Sequence, residues 1–269
     1  FNIPNLGIKE EDENIYKKMI GQPNGSIVIT GPTGSGKTTT LYASLNHISS
    51  PDKKIFTIED PVEYRFDSIM QVQVNSKVGM DFSRGLRAML RSDPDIIMVG
   101  EIRDLETARI VMQASITGHL VLTTLHTNDA PSTLGRLMQM GAESYMISSA
   151  ISCIVAQRLI RRLCPDCKQE TDLSKYSLED EIKPILEGKK IYKSVGCDQC
   201  NNLGYSGRTG IFSVLRVSKK IREMLLQEKS AAEIGEVAKK EGMKTLLERA
   251  AEKVAEGITS LEEMYRVVY

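Results

Sequence analysis

Tryptophan is absent from this chain, and its 269 residues include only five phenylalanines and three histidines. So few aromatics argue against a channel that stacks single-stranded bases on successive rings. Neither sign of charge dominates: Lys+Arg and Asp+Glu are 35 each, giving a formal net charge of zero. A dedicated nucleic-acid binder usually carries a basic excess, so that balance argues against direct nucleic-acid contact. No run approaches the roughly 20 apolar residues that span a bilayer, so any membrane association is expected to be peripheral. The opening Phe1-Asn2-Ile3-Pro4-Asn5 has neither the basic nor the apolar region of a secretory signal. It also has no initiator Met, and reads as a piece of a longer protein. What remains is ordinary globular composition, 41% hydrophobic and 26% charged.

Along the chain, residues 1–22 read as a linker with a short helix around Glu11 to Ile20. Ser26 to Thr30 is a β-branched run ending in glycine, as a buried strand does. Thr38 to Ile48 has helical spacing. Strands follow at Lys54–Ile58, Ile69–Val74, Ile96–Val99 and His119–Leu125. Helices are expected at Ser83–Leu90, at Leu105–Ile116 and at Ser132–Met140, the last opened by Pro131. Strands alternating with helices imply an α/β fold with a mostly parallel sheet, with a core over 23–163. Glu143 to Leu163 is expected as one long helix ending in Arg158, Arg161 and Arg162, charges that suit a helix C-terminus. Residues 164–207 are polar, rich in turn residues and bounded by cysteine pairs. Gly210 to Leu215 reads as a strand returning to the sheet, which makes 164–207 an insertion. The rest of 208–269 is helical, with capping boxes expected at Ser230/Glu233 and Ser260/Glu263 and helix stops at Gly242 and Gly257.

Gly31-Pro32-Thr33-Gly34-Ser35-Gly36-Lys37-Thr38 matches the phosphate-binding pattern G-x-x-x-x-G-K-[ST] in full, between a strand and a helix where the mechanism needs it. Its glycines let backbone N–H groups curl around a phosphate, and the helix N-terminus adds favourable partial charge. Lys37 is expected on the β- and γ-phosphates and the Thr38 hydroxyl on Mg²⁺. With Thr39, these are the candidate ATP-binding residues.

Two acidic sites follow buried strands: Ile58-Glu59-Asp60-Pro61-Val62-Glu63 and Val99-Gly100-Glu101. Ligands of open α/β sheets bind beyond the carboxyl ends of the strands. Hydrolysis needs one carboxylate to orient or deprotonate water and another on the metal side. Gly100 occupies the place where a generic phosphate-loop enzyme has an Asp, so Glu101 is expected to do the metal-side work. His126, at a strand's carboxyl end, is placed to sense a γ-phosphate. His119, at the opposite end, reads by itself as a structural hydrogen-bonder, and His47 as a surface residue.

Cys164-Pro165-Asp166-Cys167 and Cys197-Asp198-Gln199-Cys200 are two CxxC pairs. Four thiolates from two tight turns suit a structural Zn²⁺, and a closed set leaves no position for substrate. A redox pair would need only one CxxC, and a cytosolic setting disfavours disulfides. The loop between the pairs is expected to project. Cys153 reads as a small core residue within the long helix.

Taken in order, the phosphate loop, Ile58 to Glu63, Asp93-Pro94-Asp95 leading to Val99-Gly100-Glu101-Ile102-Arg103-Asp104, and Gly118-His119 through Leu125-His126-Thr127-Asn128 resemble the secretion ATPase superfamily. The tetracysteine insertion looks like its pilus-assembly and type II secretion branch, since pilus-retraction members generally lack the cysteines. The match runs from about Gly7 to the C-terminus. The resemblance implies a RecA-like fold and a cytoplasmic homohexameric motor, driven by ATP, acting on an inner-membrane platform protein at the inner face of the membrane. Glu63 resembles the family's catalytic glutamate, Glu101 its Walker B glutamate, and His119 with His126 its histidine pair. Arg136 matches a position linked to nucleotide sensing at subunit contacts. Family members carry a preceding domain that supplies arginines to the phosphates, so these residues alone are expected to bind ATP, hydrolyse it weakly and assemble poorly. The rival reading is a RecA-like nucleic-acid translocase or DNA-uptake motor.

Overall fold

The computed structural model describes residues 1–269. Its helices are α1 (Glu10–Ile20), α2 (Lys37–Ile48), α3 (Phe82–Leu90), α4 (Leu105–Ile116), α5 (Ala130–Gln139), α6 (Ser144–Ala150), α7 (Lys183–Leu186), α8 (Lys219–Leu226), α9 (Ala231–Lys240), α10 (Leu246–Ala255) and α11 (Leu261–Val268). The strands are β1 (Gly25–Thr30), β2 (Ile55–Glu59), β3 (Met70–Gln73), β4 (Ile96–Val99), β5 (Leu120–Leu125), β6 (Ile151–Leu163), β7 (Gln169–Thr171), β8 (Ile191–Lys193) and β9 (Tyr205–Arg216). Seven strands form one sheet in the order β3-β2-β4-β5-β1-β6-β9, parallel except for the β6–β9 pair. The expected mostly parallel α/β architecture with a helical C-terminal region is present.

Side-chain alternation along the central strands fills two cores, one on each face of the sheet. Val28, Ile97, Val99 and Val121 point to one, shared with α3 to α6 and the C-terminal helices. Ile27, Ile29, Ile96, Met98, Leu120 and Leu122 point to the other, against Tyr16, Met19 and Ile20 of α1 and Leu41, Leu45 and Ile48 of α2. Each such buried aliphatic contributes on the order of 1.5–3 kcal/mol relative to leaving it exposed. Ile3 also belongs to this second core, so the stretch expected as a linker is packed against the sheet.

Four expectations are corrected. Glu143 to Leu163 is not one helix: α6 stops at Ala150, and β6 then runs for 13 residues. Its Cys153 to Ala156 stretch is apolar and buried on both faces, and so short an apolar run cannot be told from a buried helix by periodicity; pairing with β1 on one side and β9 on the other decides it. Cys153 is a core residue, but on that strand. The loop between the cysteine pairs does not project: Ile182, Leu186 and Ile191 are buried in the main core. At Ser260 only half of the expected capping box forms. Its hydroxyl accepts from the Glu263 N–H, but the Glu263 carboxylate turns inward to Arg161 and Arg266. The box at Ser230/Glu233 is complete, and Gly242 and Gly257 follow α9 and α10 with positive φ.

Candidate nucleotide cleft and cysteine cluster

The carboxyl ends of β1, β2, β4 and β5 open on one cleft of about 350 Å³, lined among others by Thr33, Lys37, Thr38, Thr39, Glu63, Glu101 and His126. β1 delivers the chain into the loop Gly31–Gly36, and α2 begins at Lys37. Two glycines are required by geometry. Gly31 has φ 150°, and a Cβ there would lie 2.3 Å from the Gln157 carbonyl; Gly36 caps α2 at φ 87°, 2.9 Å from the Gln157 amide. Gln157 braces the loop from β6, its Nε2 donating to the Ser35 carbonyl at 2.8 Å and its Oε1 accepting from the Thr40 hydroxyl at 2.7 Å. The N–H groups of Gly34, Gly36, Lys37 and Thr38 meet no acceptor within the protein. A tight backbone cradle with unpaired donors at a helix N-terminus fits a phosphate group.

Lys37 is buried to 9% exposure and donates to the Gly31 and Pro32 carbonyls at 2.8 and 3.0 Å. Burial pushes its ammonium pKa down, nearby Arg158 adds to that, and Glu101 opposes it. The acidic side of the cleft is knit by Arg103, whose guanidinium reaches Glu101 at 2.7 Å and Asp60 at 3.0 Å and lies over the Phe82 ring. His126 Nε2 is 3.3 Å from the other Glu101 oxygen. The strand end that presents Glu101 is pinned by the Thr124 hydroxyl donating to the Gly100 carbonyl at 2.7 Å. Thus Glu63, Glu101 and His126 face the phosphate loop, as carboxylates and an imidazole must if they are to act on a bound phosphate.

Two sequence candidates lie elsewhere. His119 sits at the amino end of β5, its Nδ1 donating to the Ala114 carbonyl at 3.0 Å, beside Lys53, Asp93 and Asp95. Arg136 is exposed on α5. Neither touches the cleft within this chain. A larger concavity of about 860 Å³ lies between α5, α9 and the C-terminal residues, but lacks the phosphate loop's cradle. Sequence reasoning also passed over Gln157, hidden by the helix expected there, and assigned no role to Tyr42, Glu59 or Arg103. The last two stood inside the quoted motifs, but Glu59 meets Tyr42 from α2 and Gln71 from β3, and Arg103 reaches across to Asp60 beyond β2.

The four cysteines of the two pairs converge, all four sulfurs lying within 4.8 Å of one another. Cys164–Cys197, Cys167–Cys200 and Cys197–Cys200 are 3.9, 3.8 and 3.8 Å apart. A tetrahedron with zinc–sulfur bonds of 2.3 Å has sulfur–sulfur edges of about 3.8 Å, so this cluster fits such an ion. Backbone N–H groups of Gly196, Cys197 and Gly204 point at the sulfurs from 3.2 to 3.3 Å, as suits thiolates. The cluster is tied to the C-terminal helices. Leu163 N–H donates to the Ile258 carbonyl, Lys168 to Gly257, and the Thr259 hydroxyl to the Arg161 carbonyl, all at 2.8 Å.

A phosphate loop on a parallel sheet, facing two carboxylates at neighbouring strand ends, defines a P-loop NTPase of the RecA-like kind. Within that class the chain belongs to the type II/IV secretion system protein family, whose model matches residues 1–266. It is 46% identical to the type II secretion system ATPase E of Vibrio cholerae, covering 99% of this chain and 53% of that protein. To the type IV pilus assembly ATPase PilB of Pseudomonas aeruginosa it is 48% identical, over 97% of this chain and 46% of that one. The chain therefore spans about half the length of the curated relatives it matches. The crystal structure of the pilus retraction motor PilT with bound ADP superposes with a TM-score of 0.72 at 27% identity, over 99% of this chain and 66% of that one.

Proposed function

We propose that this chain is the ATP-hydrolysing part of a motor that assembles type IV pili or drives type II protein secretion. One observation carries the reading: the phosphate loop, Glu63, Glu101 and His126 meet in a single cleft at the carboxyl ends of the parallel strands. The names of the relatives support it, as does the ADP bound by a structural neighbour.

In this reading Gly31 to Thr39 bind ATP, with Lys37 leaving its two loop carbonyls for the phosphates. Thr38 and the Glu101 side of the cleft would hold Mg²⁺, which when bound would supply positive charge against the phosphates. Glu63, exposed on its loop, takes a proton from the attacking water. His126, already beside Glu101, hydrogen-bonds the γ-phosphate and reports its departure. His119 and Arg136, both outside the cleft, act at contacts between subunits of a homohexamer. Cys164, Cys167, Cys197 and Cys200 would hold a structural Zn²⁺, and four thiolate ligands would leave no position for substrate, so the cluster takes no part in hydrolysis. The motor works at the cytoplasmic face of the inner membrane on a platform protein, with no direct nucleic-acid partner.

Hydrolysis is measured with single-stranded DNA and, separately, with the cytoplasmic domain of the platform protein. The platform domain is expected to raise the rate and DNA to leave it unchanged. Stimulation by DNA alone would shift the reading to a nucleic-acid translocase.

A further inference from the structure

The segment Asp60–Ile69, between β2 and β3, carries Glu63 yet forms neither helix nor strand. Buried or half-buried backbone groups need partners, and here side chains supply them. Val62 N–H donates to Gln73 Oε1 at 3.2 Å and Phe66 N–H to Gln71 Oε1 at 2.8 Å, while Gln71 Nε2 donates to the Tyr64 carbonyl at 2.9 Å. The N–H groups of Glu63 and Tyr64 both point to the Tyr42 hydroxyl, at 3.3 and 3.4 Å. Within the segment the backbone bonds to itself only at Ile69 N–H to the Phe66 carbonyl, 3.4 Å.

Tyr42 is 1% exposed and stands on α2, five positions after Lys37. A phenol has one proton and two acceptor positions. The proton is committed to Glu59 Oε2. Glu59, 3% exposed, also accepts from the Thr57 hydroxyl at 2.5 Å and from Gln71 Nε2 at 3.0 Å, with no cation against it. Because a carboxylate only accepts, it forces the phenol oxygen to offer its lone pairs outward, where the Glu63 and Tyr64 N–H groups take them. The ring is held edge-on by Phe1 and Phe66, with centroids at 5.4 and 5.2 Å.

We propose that Tyr42, oriented by Glu59, is the positioning residue for Glu63, fixing its loop to the helix that begins at the phosphate loop. The proposal rests on the reading of Glu63 as the group that activates water. A base whose own backbone N–H is tied to α2 is held at a set distance from the phosphate loop, and small misplacements of such a group are costly in rate.

The test is Tyr42→Phe, which keeps the ring and its packing, with Glu59→Gln as a second variant and Glu63→Gln as control. Turnover in Tyr42→Phe is expected to fall about 10- to 100-fold with KM nearly unchanged. Amide exchange over Asp60–Phe66 accelerates in both positioning variants, while the phosphate loop and sheet exchange as before. Wild-type turnover with wild-type exchange in Tyr42→Phe overturns the proposal. So does a loss of protection shared by every segment, which leaves Tyr42 a core residue only. Full activity in Glu63→Gln would instead overturn the assignment of the base, and the exchange result would still report whether Tyr42 holds the loop.

Discussion

The nucleotide cleft and the cysteine cluster both gather polar atoms from distant parts of the chain, yet one is left open and the other closed. In the cleft, the N–H groups of Gly34 and Gly36 in the loop and of Lys37 and Thr38 at the start of α2 have no acceptor, Lys37 rests on carbonyls, and Glu63 is exposed. At the cluster, the four sulfurs lie against one another, N–H groups of the flanking turns point at them, and the surrounding backbone is tied to the α10–α11 turn. The difference fits the proposed division of labour, with hydrolysis in the cleft and a structural role at the cluster. A site that must bind and release offers donors free for its ligand, whereas four thiolates around one ion would leave no position for substrate.

The strongest way to break the comparison is to open the closed site. Cys200→Ser is expected to drop bound metal from about one equivalent to below half, at a cost of several kcal/mol in stability. Limited proteolysis should then cut within 164–207, while MgATP affinity stays within about twofold because no residue of 164–207 lines the cleft. A parallel loss of nucleotide binding would mean that the two regions are one unit. Next in size is Lys37→Ala. It removes the buried ammonium beside the loop, and should weaken MgATP binding about 100-fold, or about 2.7 kcal/mol, by fluorescence titration. Unaltered affinity would deny the cleft its role.

A smaller effect sharpens the role of β6. Gln157→Leu leaves the Ser35 carbonyl and the Thr40 hydroxyl without their partner, which should cost about 1–3 kcal/mol in chemical unfolding and loosen the loop. The smallest effect concerns pH. Burial would raise the Glu263 pKa, but hydrogen bonds from Arg266 and Arg161 overcome it and hold the carboxyl down to about 2, against an ordinary 4.5. Its contribution is therefore fully present above pH 4.5 and is lost as the pH falls toward 2. Glu263→Gln should lower the melting temperature at pH 7 and leave it closer to wild type at pH 3. An equal deficit at both values would contradict the ion-pair account.

The readable parts of this molecule are those whose chemistry needs contiguous residues. Gly31 to Thr38 and the two CxxC turns are local, because a phosphate or a metal ion is grasped by one bend of backbone, and both groups came together in space. The alternation of strand and helix up to Gln139 was legible for a similar reason: each element's pattern lies within its own few residues. Beyond it, β6 was hidden, since Cys153 to Ala156 is apolar on both faces and only the pairings with β1 and β9 distinguish a strand from a helix. Gln157 vanished with it. Glu59 was visible as an acid but not as a buried acceptor, because Tyr42 comes from α2 and Gln71 from β3. The Glu263 box failed because Arg161, about a hundred positions earlier, competes for the carboxylate.

The central claim, that the open cleft hydrolyses ATP with Glu63 as its base, has one direct measurement. Hydrolysis and MgATP affinity are determined side by side for the wild-type protein and for Glu63→Gln. The account predicts that turnover falls by about 10²- to 10⁴-fold while affinity is retained, since general-base catalysis contributes on that scale. Undiminished hydrolysis by Glu63→Gln would contradict it.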